Sequence, residues 1–188
     1  RRRADRVSRR APRIPVLATA RLRLRPLAHS DATALHPMLA DADLMTYSAD
    51  GPLASIEATR AYLREDAEDL NWRAWAITRH SDDRAIGWVS AGRMQGRGVT
   101  EIGFILAREH WGRGYASEAA AAVIGQLFAE GQHRVFADAD PENHASILLL
   151  ERLGFRREQL LRGEWETHMG LRDSLIYGLH ADDWRAAA

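Results

Sequence analysis

The sequence predicts a mixed α/β (α+β) domain, a mostly antiparallel central sheet flanked by helices in the order β-α-α-β-β-β-α-β-α-β-β. Three observations carry that expectation. Short strand-like runs follow one another at hairpin spacing through residues 72–106, the pattern of a meander. Ala116, Ala120, Val123, Ile124, Leu127 and Phe128 recur with helical period and form one long apolar stripe. Beyond it, strand-like and helix-like segments take turns to the end of the chain.

The elements follow in order. Arg21-Leu22-Arg23-Leu24-Arg25 alternates strictly, as a half-buried strand does. Pro26 ends it, and Ser30-Asp31 signals a helix start that runs to about Leu39. A loop with Asp41, Asp43, Asp50, Gly51 and Pro52 leads to a second helix, capped by Ser55 and reaching about Leu70. Three strands are expected at Trp72–Thr78, Ile86–Met94 and Val99–Leu106, separated by Ser81-Asp82-Asp83 and Gln95-Gly96-Arg97-Gly98. The long helix closes at Gly131, a C-terminal cap position. Strands at Arg134–Ala139, Phe155–Leu161 and Leu171–Leu179 then surround a helix at Ala145–Leu153, stopped by Gly154. No internal repeat breaks the pattern, and 188 residues suit one domain.

Composition narrows the function. Cysteine is absent, which excludes disulfides, thiolate catalysis and cysteine-bound zinc. No apolar run reaches the roughly 18 residues that span a bilayer, and no cleavable signal precedes the fold, so the expected location is cytoplasmic with no membrane partner. Residues 1–13 hold seven arginines and one acid, while the other 175 hold 19 basic and 25 acidic residues. An Arg-rich leader over residues 1–16, expected to be disordered, therefore precedes a folded domain over 17–185. That domain carries a charge of −6, which disfavours nucleic-acid binding by the folded part.

The richest stretch is His110-Trp111-Gly112-Arg113-Gly114-Tyr115-Ala116-Ser117-Glu118-Ala119, between a strand and the longest helix. Alternating glycines let backbone N–H groups turn inward, and the helix start adds unpaired donors and the positive end of its dipole. That is a cradle for a pyrophosphate. The pattern Gly112-x-Gly114-x-x-Ser117 also approaches a dinucleotide fingerprint, but a Rossmann unit opens a parallel sheet, whereas a meander comes first here. Position 134, where a ribose-binding acid belongs, is Arg.

Three motifs in register resemble the GNAT superfamily of N-acetyltransferases. They are the strand Glu101-Ile102-Gly103-Phe104-Ile105-Leu106, the loop Trp111-Gly112-Arg113-Gly114-Tyr115-Ala116, and Asn143-His144-Ala145-Ser146 with Leu153-Gly154-Phe155. Trp111 in place of the commoner Gln or Arg, and the opening Thr19-Ala20-Arg21-Leu22-Arg23-Leu24-Arg25-Pro26-Leu27, look like the ribosomal-protein-alanine (RimJ/RimL-like) subgroup. The resemblance covers about residues 19–184. It implies the GNAT fold, acetyl-CoA as acyl donor and no metal. Ile105, Leu106 and Ala107 would then bind the pantetheine arm, and Trp111, Gly112, Arg113, Gly114, Tyr115, Ala116 and Ser117 would wrap the pyrophosphate. Asn143 and Ser146 would lie near the thioester.

Transfer to an amine needs a free-base nucleophile, an oxyanion donor and an acid for the leaving sulfur. Ser146 is the candidate acid, since the tyrosine many members carry one turn later is Leu150 here. Its hydroxyl could instead bond backbone within the helix. Asn143 is a candidate cap and a candidate contact to pantetheine or substrate. Glu101 is the candidate base; Glu164, Glu166 and water remain alternatives. The histidines show no metal-ligand spacing, and His110 and His144 read as surface residues. Trp75 and Trp88 read as core. Glu65, Asp66, Glu68 and Asp69 form either a solvated face or an acidic lip for a cationic substrate. The expected activity is acetyl transfer to a primary amine of a peptide N-terminus or small molecule. The alternative is an inactive acyl-CoA-binding sensor, and a homodimer is left open.

Overall fold

Alternation becomes strand wherever one face meets the core. In the computed structural model, which describes residues 14–68, 71–93 and 98–187, the sheet contains eight strands. These are β1 (Leu17–Ala18), β2 (Leu22–Pro26), β3 (Trp72–Arg79), β4 (Asp82–Arg93), β5 (Val99–Leu106), β6 (Arg134–Ala139), β7 (Arg156–Thr167) and β8 (Gly170–His180). The helices are α1 (Ala32–Leu39), α2 (Ile56–Glu68), α3 (Tyr115–Ala129), α4 (His144–Arg152) and α5 (Ala181–Ala187). Spatial order is β1-β2-β3-β4-β5-β6-β8-β7. Only the β5–β6 contact is parallel. Residues 1–13 of the leader, Leu70 and Met94 lie outside the described residues, as does most of the turn that follows Met94. So do the side chains of Glu65, Asp66, Glu68 and Asp69, the candidate acidic lip.

The central strands are covered on both faces, and period two decides which layer each residue joins. Along β3, Trp75 and Ile77 pack with Ala119, Val123, Ile124 and Leu127 of α3. Their neighbours Ala74 and Ala76 pack on the opposite face with Leu35 and Leu39 of α1 and Leu63 of α2. Trp75 is fully buried and its indole N–H donates to Pro15 O at 2.9 Å. Trp88 is also buried, so both tryptophans are core. Ile14 packs against the α3-side core as well, so Ile14 and Pro15 of the expected leader contact the folded body.

Several elements differ from the sequence reading. Ser55 caps α2 as expected, accepting from Ala58 N at 3.1 Å. Asp31 instead turns back, accepting from Ala28 N at 3.0 Å and from both Arg25 Nη groups at 2.8 and 2.7 Å. The strand expected at Phe155–Leu161 runs on to Thr167, with an irregularity between Leu161 and Trp165. It is an edge strand, exposed along most of its length, and therefore lacks alternation. The two-residue β1 and the short α5 carry no periodic signal; α5 is docked by Trp184 on Phe128, ring centres 6.2 Å apart. Among the described residues, no helix is long and apolar enough to cross a membrane.

Candidate active site

The parallel contact between β5 and β6 is short. It pairs Val99 with Arg134, Thr100 with Val135 and Glu101 with Phe136, then stops. Both strands continue, but each follows its outer neighbour. β5 stays paired with β4 as far as Leu106, and Ala107 N donates to Ile86 O at 2.9 Å. β6 stays paired with β8 as far as Ala139. The sheet therefore splays beyond Glu101. A cavity of about 310 Å³ is lined there by Glu101, Gly103, Asp138, Asp140 and Asn143. Tyr47 from the loop after α1, with Trp165 and Thr167 from β7, completes the wall.

Electrostatics distinguish the carboxylates in this cavity. Burial, and secondly the charge of Asp138, push the Glu101 carboxyl up to about 7. Asp138 is raised chiefly by burial; Ser174 Oγ donates to it and opposes that rise, while Asp140 and Glu164 add to it. Asp140 resists its own desolvation because Arg172 Nε and Nη2 donate to it at 2.7 and 3.1 Å, holding it below the ordinary range. Arg172 also reaches Glu142 at 2.6 Å. Asp138 and Asp140 are each opposed by a hydrogen-bond donor, whereas at Glu101 burial and the Asp138 charge both act to raise the carboxyl. Such a group holds a proton near neutral pH and can exchange it.

The glycine loop lies at the other end of β5. Gly112 and Gly114 take φ of +71° and +76°, the left-handed region, directly before the 15-residue α3. A Cβ at Gly112 would meet nothing within 4 Å, and one at Gly114 only Arg21 Nη2 at 3.4 Å. Both positions favour glycine because L side chains rarely adopt that backbone conformation. The Trp111 indole N–H donates to Leu106 O at 2.7 Å, and the Arg108 guanidinium lies 5.1 Å from its ring centre. That bond ties the loop to the end of β5. Arg113 is exposed, while Tyr115, Ala116 and Ser117 occupy the first turn of α3 half-buried.

At the start of α4, Asn143 is the cap, its Oδ1 accepting from Ser146 N at 3.2 Å. Asn143 also faces the cavity. Ser146 is half-buried and, among the described residues, its hydroxyl makes no hydrogen bond, including none to its own helix. Leu150 is buried in the core. Glu164 and Glu166 are exposed on β7, with Trp165 between them reaching the cavity. The structure thus brings Glu101 and Asn143 to one cavity, sets Ser146 on the adjoining turn, and leaves Glu164 and Glu166 exposed outside its lining. Asp138, Ser174 and Arg172 were not singled out in the sequence. The available signal was a lone acid within the otherwise apolar Val135-Phe136-Ala137-Asp138-Ala139.

Known proteins share this fold. The family model described as Acetyltransferase (GNAT) domain matches residues 21–156. The chain is 32% identical over 169 residues to the uncharacterized N-acetyltransferase p20 of Bacillus licheniformis, covering 87% of this chain and 94% of that protein. Among solved structures it is similar to a spermidine N-acetyltransferase from Vibrio cholerae in complex with CoA and spermine. That likeness has a TM-score of 0.76 and 21% identity and covers 89% of this chain and 99% of that one. It is also similar to RimL, a ribosomal L7/L12 alpha-N-protein acetyltransferase in complex with coenzyme A. There the TM-score is 0.78 at 20% identity, over 90% of this chain and 99% of that one.

Proposed function

The chain belongs to the GNAT family of acetyltransferases, and from that premise we propose that it transfers the acetyl group of acetyl-CoA to an α-amine within the β5–β6 splay. Trp111–Ser117 hold the pyrophosphate and Ile105–Ala107 the pantetheine arm. The support is the fit of the loop: two left-handed glycines free of crowding, set before a long helix whose first N–H groups lack intrahelical partners. Acetyl-CoA supplies the thioester carbonyl.

The residues of the chain handle the protons. Glu101 accepts one from the acceptor ammonium, so that nitrogen can form the new C–N bond. Ser146 donates to the sulfur as the C–S bond breaks, and the second proton lost by nitrogen replaces it. Asn143 caps α4 and so fixes the turn that presents Ser146. The observation that carries this reading is Glu101, a half-buried acid at the start of the splay with its carboxyl raised to about 7.

The same value favours an α-amine over a lysine side chain, a choice the shared fold does not make. An α-ammonium has a pKa near 8 and a lysine ammonium about 10.4. Transfer to a base near 7 is therefore uphill by about one unit for the first and more than three for the second. Two peptides test this, one with a free N-terminus and blocked lysine, the other its N-blocked, free-lysine twin. CoA release with kcat/KM at least about 10-fold higher for the first is expected. Equal or better turnover of the lysine twin across pH 6–9 would contradict the α-amine assignment.

A further inference from the structure

Glu118 lies in the first turn of α3, where an acid repels the pyrophosphate that the loop is read to hold. Its carboxylate is, however, turned aside and occupied. Oε1 accepts from Thr19 Oγ1 at 2.5 Å and from Arg21 N at 2.9 Å, and Oε2 accepts from Arg21 Nε at 2.6 Å. Although burial would raise it, these donors hold the carboxyl below its ordinary range. The partners come from the segment before β2, nearly a hundred residues earlier in the chain. That segment is itself tied down. Thr19 N donates to Leu22 O at 2.9 Å, and Thr19 O lies 2.9 Å from His80 Nε2.

Arg21 does more than neutralise Glu118. Its Nη1 donates to Arg113 O at 2.8 Å, and its guanidinium sits 4.8 Å from the centre of the Tyr115 ring. In a trans peptide the carbonyl and the following N–H point in opposite directions. Fixing Arg113 O towards Arg21 therefore turns Gly114 N–H away from it. One side chain thus grips the loop at Arg113, Tyr115 and Glu118, across both sides of the left-handed Gly114.

We propose that Arg21 is a positioning residue for the donor substrate, locking the glycine loop so that Gly114 N–H faces the pyrophosphate and screening that anion from Glu118. The inference rests on the loop being the CoA cradle. It gives the Thr19-Ala20-Arg21 segment a task that its place at the edge of the sheet does not require.

Calorimetric titration with CoA, paired with steady-state kinetics, tests it on the wild type, Arg21→Ala, Arg21→Lys, and Arg21→Ala combined with Glu118→Gln. Arg21→Ala should weaken CoA binding and raise KM for acetyl-CoA by about 10-fold or more, with saturated kcat within about threefold of wild type. Arg21→Lys keeps the charge but not the fork, so it should fold and still bind CoA more weakly than wild type. Adding Glu118→Gln to Arg21→Ala should recover part of the lost affinity, because the unscreened charge is gone. Wild-type affinity in either folded Arg21 variant, a loss confined to kcat, or no recovery in the double variant would overturn the proposal. If the wild type itself binds no CoA, the cradle reading fails first and this inference falls with it.

Discussion

At Glu101 two causes act in one direction. Desolvation is the larger and Asp138 the second, and together they bring a carboxyl from 4.5 to about 7. The consequence for folding follows from linkage. A carboxyl bound more tightly to its proton in the folded state stabilises the fold fully below pH 4.5, and that contribution is lost as pH rises through about 7. The ionised form that the proposed base role requires is thus the form that folding disfavours. Ser146 is the complementary case, a half-buried hydroxyl without a protein partner among the described residues, on the turn that Asn143 caps. Ser146→Ala should lower kcat by about 10²–10⁴-fold with CoA affinity unchanged, as loss of a general acid does. Turnover and calorimetry on the same preparation check this; a wild-type kcat would leave the serine without a chemical task. Glu101 was legible in the sequence because it opens an apolar strand within a recognisable motif. Asp138 offered the same signal in β6 with no motif around it, and only the fold shows that the two acids share a cavity.

At the scale of elements, the loop before α3 is the clearest case of sequence becoming site. Its glycines were legible, but their reason was not. The alternation suggested N–H groups turned inward, and the structure adds that both positions hold a left-handed backbone. A branched side chain at Gly114 pays for that conformation with about 1–3 kcal/mol of strain or abandons it. Gly114→Val should therefore abolish measurable CoA binding while circular dichroism remains that of the wild type. Unchanged affinity in the folded variant would remove the loop from the donor site. The β7–β8 hairpin shows the opposite relation. Its length was not legible, because an edge strand exposed on both faces has no reason to alternate. Yet it supplies Trp165 and Thr167 to the cavity wall, and His168 N at its tip donates to Ala49 O at 2.9 Å in the loop after α1. Contacts between elements far apart in the chain leave little trace in either segment alone.

The whole molecule explains why the cavity exists. The order of elements was readable from periodicity and turn residues, and with it the mixed sheet. No local sequence pattern states where β5 and β6 stop pairing. The position of the splay depends on β4 and β8, which hold their neighbours to Leu106 and Ala139 after direct pairing has ended at Glu101 and Phe136. A raised carboxyl at the start of that opening, left-handed glycines beyond the far end of β5 and a capped serine turn beside the cavity support acetyl transfer as the proposed central claim. The most direct test is the pH dependence of CoA release from acetyl-CoA and a free-N-terminal peptide, for the wild type and Glu101→Gln. The wild type should turn over, with kcat/KM rising through about pH 7, the value set for Glu101. Glu101→Gln should lose that rise and fall by about 10²–10⁴-fold, leaving only the ionisation of the amine itself near 8. The contradicting result is a folded, CoA-binding protein that releases no CoA with any amine, or a Glu101→Gln variant that keeps the wild-type rate and the same rise near pH 7.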